Sequence, residues 1–316
     1  MAFYNPDPAM GQCLADLVRA LELDGRPALS EQVSITWLRY SQSLVDAAAA
    51  TDPQSHWSLP WTGASWRGDQ LRYPASVVKL VYLVAAEAWR QQDLLSADPE
   101  LNRALAAMVM HSSNNATAYV LDRLSGTTGG PELSGQAWAL WSEQRQLVNR
   151  WLASLGWPEL AGWNACQKTW DDGPYGRERQ SYGPDNSNIN RLSSDGVARL
   201  LHAVIASAVV SPPACARMRQ LLERSLEPAG RAADPENQVD GFVGQALPQG
   251  GQLWSKAGWM SRARHDAAYF EADGIAPTLL VVMSEGQACA ADEGLLPELA
   301  SRLMQATCDP RRGASG

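Results

Sequence analysis

The stretch Tyr73-Pro74-Ala75-Ser76-Val77-Val78-Lys79-Leu80-Val81-Tyr82-Leu83-Val84-Ala85-Ala86 decides the fold. From Ser76 to Trp89 the chain is apolar nearly all round, the pattern of a helix buried on most sides rather than of a surface helix. Such a helix needs other elements around it, so it is read as the centre of the molecule. Ser76 and Lys79 stand three apart at its start, where positions i and i+3 share a face. Burial lowers the pKa of an ammonium, so Lys79 is suited to accept the Ser76 proton, and the helix N-terminus favours negative charge on the oxygen beside it. S-x-x-K is frequent by chance, so other elements must support it.

Upstream, Cys13 to Leu23 places Leu14, Leu17, Val18 and Leu21 on one helical face, with Gly25 and Pro27 as the stop. Val33 to Leu38 alternates as a strand does, and Thr51 to Gly68, with Trp57, Trp61 and Trp66, reads as strand and loop. Those tryptophans are read as core or lobe-contact residues before groove residues. Downstream, helices are predicted at Leu101–His111, Ala116–Leu124, Gln136–Leu155, Asp195–Ala208 and Ala214–Leu226. Short strands follow at Gln252–Lys256, Ala267–Glu271 and Thr278–Met283, then a helix at Leu295–Gln305. The predicted fold is α/β (α+β), in one domain over 1–316. An antiparallel sheet flanked by helices is built from 30–70 and 250–316, and a mostly helical lobe from 71–249.

The 316 residues are 45% apolar and 19% charged, with 13 tryptophans, which suffices for a sizeable core. The formal charge is −8 and no Lys/Arg cluster is present, so nucleic acid is excluded as a partner. The uncharged stretch from Leu200 to Arg217 is broken by His202, Pro212 and Pro213, and no membrane span is expected. The start Met-Ala-Phe-Tyr-Asn-Pro-Asp-Pro lacks the pattern of a secretory signal, so a cytoplasmic location is expected. Cys13, Cys166, Cys215, Cys289 and Cys308 are widely spaced and lack a C-x-x-C pair, which predicts reduced thiols. H-E-x-x-H is absent, and neither metal nor cofactor is expected. His265-Asp266 is the one pair suggestive of a triad, but neighbours on a strand point to opposite faces. His111 and His202 are read as surface or capping histidines.

Two elements follow Ser76 and Lys79 in order: Ser113-Asn114-Asn115 at a predicted helix junction, and Lys256-Ala257-Gly258 at the end of a predicted strand. With these the sequence resembles the serine β-lactamase and penicillin-binding-protein family, whose motifs run S-x-x-K, S-D-N and K-T-G. The contexts Tyr73 to Leu80, Ser112 to Leu121 and Asn190 to Leu201 resemble its class A branch, and the likeness spans roughly Val33 to Gln305. The resemblance implies an acyl-enzyme on Ser76, with Lys79 as base or relay, Ser113 as a second relay and Asn115 as a contact to substrate and Lys79. Lys256 would complete the positive field. The backbone N–H groups of Ser76 and Trp259 would form an oxyanion hole, with Ala257 and Gly258 on the same strand and Arg262 or Arg264 clamping a substrate carboxylate. The expected substrate is a small-molecule or peptide-like acyl compound with an amide, β-lactam or ester bond.

The sequence departs from the family pattern in four places, one of them the spacing from Ser76 to Ser113, 37 residues, shorter than in the secreted class A enzymes. Ala257 replaces the motif Thr or Ser, removing a hydroxyl that helps hold a substrate carboxylate, and Asn114 replaces Asp. No clear E-x-x-N supplies the carboxylate that activates water in class A enzymes. Glu159 and Glu178 are the candidates, with Asp171 and Asp172 behind them, and Arg177 and Arg179 flank Glu178, which suits a structural salt bridge as well as a base. These departures keep two alternatives open: a D-amino-acid peptidase or esterase, and a catalytically silent binding module on the same fold.

Overall fold

The computed structural model describes residues 3–50, 61–96 and 98–306. His56, Trp57 and Cys308 lie outside them. The chain opens with β1 (Asn5–Pro6), α1 (Pro8–Leu23), α2 (Leu29–Gln32), β2 (Val33–Arg39), α3 (Leu44–Ala50) and β3 (Thr62–Trp66). A 3₁₀ turn at Ala75–Val77 runs into α4 (Val78–Gln91). Then come α5 (Pro99–Met110), α6 (Asn114–Ser125), α7 (Gly135–Arg145), α8 (Leu147–Ser154), α9 (Gly176–Ser181), α10 (Ser194–Ile205) and α11 (Pro212–Leu222). β4 (Glu223–Arg224) and α12 (Pro228–Ala233) lead to β5 (Gln252–Met260), β6 (Ala263–Ala272) and β7 (Ile275–Glu285), followed by α13 (Gln287–Ala291) and α14 (Leu295–Gln305).

The two ends of the chain meet in one sheet of order β1-β3-β2-β7-β6-β5-β4. The joint is β2 against β7, antiparallel from Val33 opposite Ser284 to Arg39 opposite Thr278. Leu279, Val281 and Met283 of β7 face one apolar layer and Leu280 and Val282 the other, the period-2 signature of a strand covered on both sides. The first layer holds α4 and α10. The second holds Leu14, Val18 and Leu21 of α1 with Leu296, Leu299 and Leu303 of α14. Every residue of α4 from Val78 to Trp89 is buried, as its all-round apolar sequence predicts. Among the described residues no helix is long and apolar enough to cross a membrane.

Several elements differ from the expectation, each for a local reason. α1 begins at Pro8, because Asp7 accepts from the Ala9 and Met10 N–H groups and Pro at the first helical position needs no donor. The sheet is mixed: β1 runs parallel to β3, with Asn5 and Asp7 donating to the Trp61 and Gly63 carbonyls. The predicted helix 136–155 is two helices. α7 buries only Trp141 and Arg145, α8 turns Val148 and Leu152 inward, and the break between them falls at Gln146. The predicted helix 214–226 stops at Leu222, because Arg224 donates to the Val109 and Ser255 carbonyls, both at 2.9 Å, and draws Glu223–Arg224 onto β5 as an edge strand. His202 is buried, its Nδ1 3.0 Å from the Tyr40 hydroxyl. Trp61 and Trp66 donate their indole N–H to the Phe3 and Ser30 carbonyls and are structural.

Leu83 is fully buried in α4 and Leu23 is 89% exposed at the end of α1, which sets up a paired test. Urea denaturation of Leu83→Ala is expected to show a loss of about 2–5 kcal/mol, the range for a large-to-small core change. Leu23→Ala is expected to stay within about 0.5 kcal/mol of the parent chain.

Candidate active site

Ser76 sits where α4 meets β5. Ala75, just before it, has φ 44°, a left-handed conformation costly for a residue with a side chain, so the surrounding structure must hold it. Part of the restraint comes from His265. Its Nδ1 accepts from the Ser284 N–H at 2.9 Å, so Nε2 carries the proton and donates to the Tyr73 carbonyl at 2.8 Å. Burial pushes this imidazole down to about 4 and keeps it neutral. Asp266 points to the opposite face, as strand alternation requires, and accepts from Val243 N. β5 closes on the turn from the other side. A Cβ on Gly258 would lie 2.9 Å from Ser76 N and 3.0 Å from the Pro74 carbonyl, so only glycine permits this approach.

Lys79 is buried one turn into the helix and its Nζ lies 3.0 Å from Ser76 Oγ. It also reaches Ser112 Oγ at 3.1 Å, Asn114 Oδ1 at 2.9 Å and the Ser112 carbonyl. Burial drives Lys79 down to about 7, while Asp171 and Glu236 pull the other way. A neutral lysine amine has two N–H groups and one lone pair. The Ser112 carbonyl and Asn114 Oδ1 can only accept, so they take both N–H groups and the lone pair is left to the hydroxyls. The Asn114 orientation is fixed independently, since its Nδ2 donates to Asp171 Oδ1 at 2.6 Å and a carboxylate cannot donate.

Lys256 is fully buried on β5. Its Nζ lies 3.2 Å from Ser112 Oγ and 2.7 Å from the Ala257 carbonyl, and it also donates to Gln238 Oε1. Burial, then the neighbouring Lys79 and Arg224, hold it well below the usual lysine value, against the pull of Asp266. Ser112 Oγ therefore bridges the two amines. Gln238 ties the arrangement together, accepting also from Ala257 N and donating to the Val109 and Met110 carbonyls at the end of α5.

The second element is thus shifted by one residue from its predicted frame. Ser113 is the N-cap of α6, its hydroxyl accepting from Ala116 N at 3.2 Å, and Asn115 is exposed on the first turn. Ser112 and Asn114 hold the positions expected of Ser113 and Asn115. The doublets Ser112-Ser113-Asn114-Asn115 fit the motif in either frame, and since serine caps helices equally well at both positions, only the Ser113 bond to Ala116 N separates them. Ser112 itself is left-handed, φ 54°, which turns both its carbonyl and its hydroxyl toward Lys79.

Neither predicted glutamate is at the site. Glu178 is buried against Arg145, at 2.6 Å, and Lys168, at 3.2 Å. The flanking arginines are not its partners: Arg177 donates to the Pro131 carbonyl and Arg179 to Asn186. Glu159 pairs with Arg199 beside α10. Among the described residues, the carboxylate hydrogen-bonded to the cluster is Asp171, through Asn114. Arg262 lines a separate cavity of about 730 Å³ with Tyr73, Tyr182 and Met260. Arg264 does reach the site cavity, but its Nε and Nη1 are engaged by the Ala290 and Gly241 carbonyls.

That cavity, about 380 Å³, opens over Ser76, Ser112 and Asn114 and is walled by Ala257, Gly258 and Trp259 on β5 and by the segment from Pro235 to Asp240. The segment gives no sequence signal, because its residues are ordinary polar loop residues brought in by the return of the chain toward β5. Among the described residues no group of His, Cys, Asp and Glu could hold a metal ion.

The chain is similar in fold to a β-lactamase from Sphaerobacter thermophilus, at 14% identity and TM-score 0.60 over 93% of this chain and 95% of that one. It is similar also to the protein PBP-A, at 15% identity and TM-score 0.60 over 96% and 97%. A β-lactamase from Xanthomonas campestris pv. campestris matches at 15% identity and TM-score 0.57 over 92% and 98%. A search of curated protein sequences finds no match. The model of the β-lactamase enzyme family matches residues 92–307, more than half of the sequence, and the chain belongs to that family.

Proposed function

We propose that this chain is a serine acyl hydrolase in which Ser76 attacks an amide, β-lactam or ester carbonyl and carries the acyl group until water removes it. The observation that supports this most directly is the Lys79 amine, 3.0 Å from Ser76 Oγ, with its pKa brought down to about 7 and both N–H groups committed to carbonyl oxygens. In this reading the Lys79 lone pair takes the Ser76 proton as the Oγ–carbon bond forms. Ser112, within reach of Lys79 and Lys256, passes the proton toward the leaving group. The Ser76 and Trp259 N–H groups face the developing oxyanion, where one such donor contributes about 2.7–4 kcal/mol. Asp171 activates the water of the second step, a role for which its contact with Asn114 and its pull on Lys79 both speak.

Intact-mass spectrometry after exposure to a neutral fluorophosphonate is expected to show one adduct on the parent chain and none on Ser76→Ala. An equal adduct on Ser76→Ala would falsify the assignment. The labelling rate is expected to rise with pH through about 7 and level off above it, because the reactive form of Lys79 is the neutral one and its fraction grows as pH passes its pKa. Lys79→Arg, which cannot lose its proton, is expected to abolish labelling.

Ser112→Ala is expected to slow labelling by about 10²-fold or more, the usual scale for a lost proton-transfer group. Ser113→Ala is expected to keep the rate and lose about 0.5–2 kcal/mol of stability as a lost N-cap. With a p-nitrophenyl ester, Asp171→Asn is expected to give a normal burst of product followed by slow turnover, with the acyl adduct visible by mass.

A further inference from the structure

We infer that Lys256 is the terminal acceptor of the Ser76 proton: a neutral amine that receives it from Lys79 through Ser112 and holds it for the departing group. This role rests on the assignment of Ser76 as nucleophile and replaces the fixed positive charge expected of Lys256.

Lys256 is fully buried and does not line the cavity, whereas Ser112, whose Oγ is 3.2 Å from the Lys256 Nζ, does. The lysine therefore reaches a substrate only through that hydroxyl. Among the described residues, every oxygen that either amine touches belongs to an uncharged group. Lys79 meets Ser76 Oγ, Asn114 Oδ1 and the carbonyl and hydroxyl of Ser112. Lys256 meets Ser112 Oγ, Gln238 Oε1 and the Ala257 carbonyl. Two ammonium groups buried side by side without a carboxylate partner are costly. The charged groups around Lys256 are Lys79 on α4, Arg224 on β4 and Asp266 on β6, and burial with the first two outweighs Asp266 in favouring the neutral amine. Burial also pushes Asp266 itself up to about 7, which weakens the one opposing charge.

Hydrogen-bond accounting then gives the relay a direction. Gln238 is oriented by its Nε2, which donates to the Val109 and Met110 carbonyls, so its Oε1 faces Lys256 as an acceptor. That oxygen and the Ala257 carbonyl take both N–H groups of the neutral amine. Its lone pair has one hydroxyl in reach, Ser112, whereas the Lys79 lone pair has two, Ser76 and Ser112. Ser112 has a single proton. Both lone pairs are filled only when Ser112 donates to Lys256 and Ser76 donates to Lys79, which leaves the Ser112 oxygen open to accept from Lys79. Contacts of 3.0, 3.1 and 3.2 Å thus run in order from Ser76 to Lys79, to Ser112, to Lys256. As Ser76 Oγ bonds to the carbonyl carbon, its proton passes to Lys79, Lys79 gives one to Ser112, and Ser112 gives its own to Lys256. Lys79 is then neutral again. When the bond to the leaving atom breaks, the stored proton returns through Ser112 to that atom, so none is gained or lost.

Fluorophosphonate labelling read by intact mass tests this, since Ser76 Oγ bonds to phosphorus, fluoride leaves without a proton and the Ser76 proton stays on Lys256. The parent rate is expected to rise through about pH 7 and to stay level to about pH 10, near the ordinary lysine value. A falling limb in that range, with the fold intact by circular dichroism, means that charge on Lys256 is required and overturns the inference. Lys256→Arg keeps a charge but cannot accept a proton, and Lys256→Met has neither. Both are expected to label about 10²-fold more slowly than the parent chain. In Lys256→Met the rise is expected to stay at about 7, because the amine removed carries no charge. A fixed ammonium there would hold Lys79 down, and its loss would move the rise to higher pH. That movement, or a Lys256→Arg rate within about threefold of the parent, overturns the proton-acceptor role while leaving Ser76 as nucleophile. If the parent chain is not labelled at all, the acyl-hydrolase reading fails and this role fails with it.

Discussion

The arrangement depends on one constraint: a lysine amine sealed among apolar side chains must find polar partners inside the protein or lose its charge. Lys79 is buried on a helix whose other faces are filled by valine, leucine and alanine, so its only relief is at the site. The partners come from a different segment, the α5–α6 junction, where a left-handed Ser112 turns its carbonyl and hydroxyl inward. The strained backbone on both sides of the amine, at Ala75 and at Ser112, is held because the contacts it permits answer this burial.

The second amine adds to the constraint. Lys79 and Lys256 both touch Ser112 Oγ, and two full positive charges so close would repel, so Lys79 adds to the burial that makes Lys256 reluctant to carry charge. A shared hydroxyl between two reluctant cations is a short path for a proton. β5 serves this centre three times over: Lys256 supplies the amine, Gly258 lets the strand approach the serine turn, and Trp259 forms the rim. Its partner strand β6 holds the turn through His265, a residue whose low pKa belongs to its structural role rather than to proton transfer.

Much of this was legible in the sequence where a pattern is local. The apolar-all-round helix, the Ser76–Lys79 spacing and the sheet built from both chain ends follow from periodicity and from the reach of neighbouring side chains. The frame of Ser112–Asn114 was not, because a doubled serine and a doubled asparagine satisfy the motif twice, and only the capping bond of Ser113 decides between them. The partners of Glu178 were hidden for a similar reason. Its sequence neighbours Arg177 and Arg179 face away, and its true partners, Arg145 and Lys168, come from distant turns. Gln238 and Glu236 carry no pattern at all, since their place in the site is set by a loop whose course depends on where β5 joins the sheet.

The seven-stranded sheet also ends in an instructive way. Its outermost strands, β1 and β4, are two residues each, one carrying Pro6 and the other the charged pair Glu223 and Arg224. A proline offers no amide to a newcomer, and a rung of two residues is too brief to template a foreign strand. The longer strands β3 and β5 are thereby shielded from edge-on stacking between molecules, so the protein guards itself against fibril-like growth with four residues placed at its two margins.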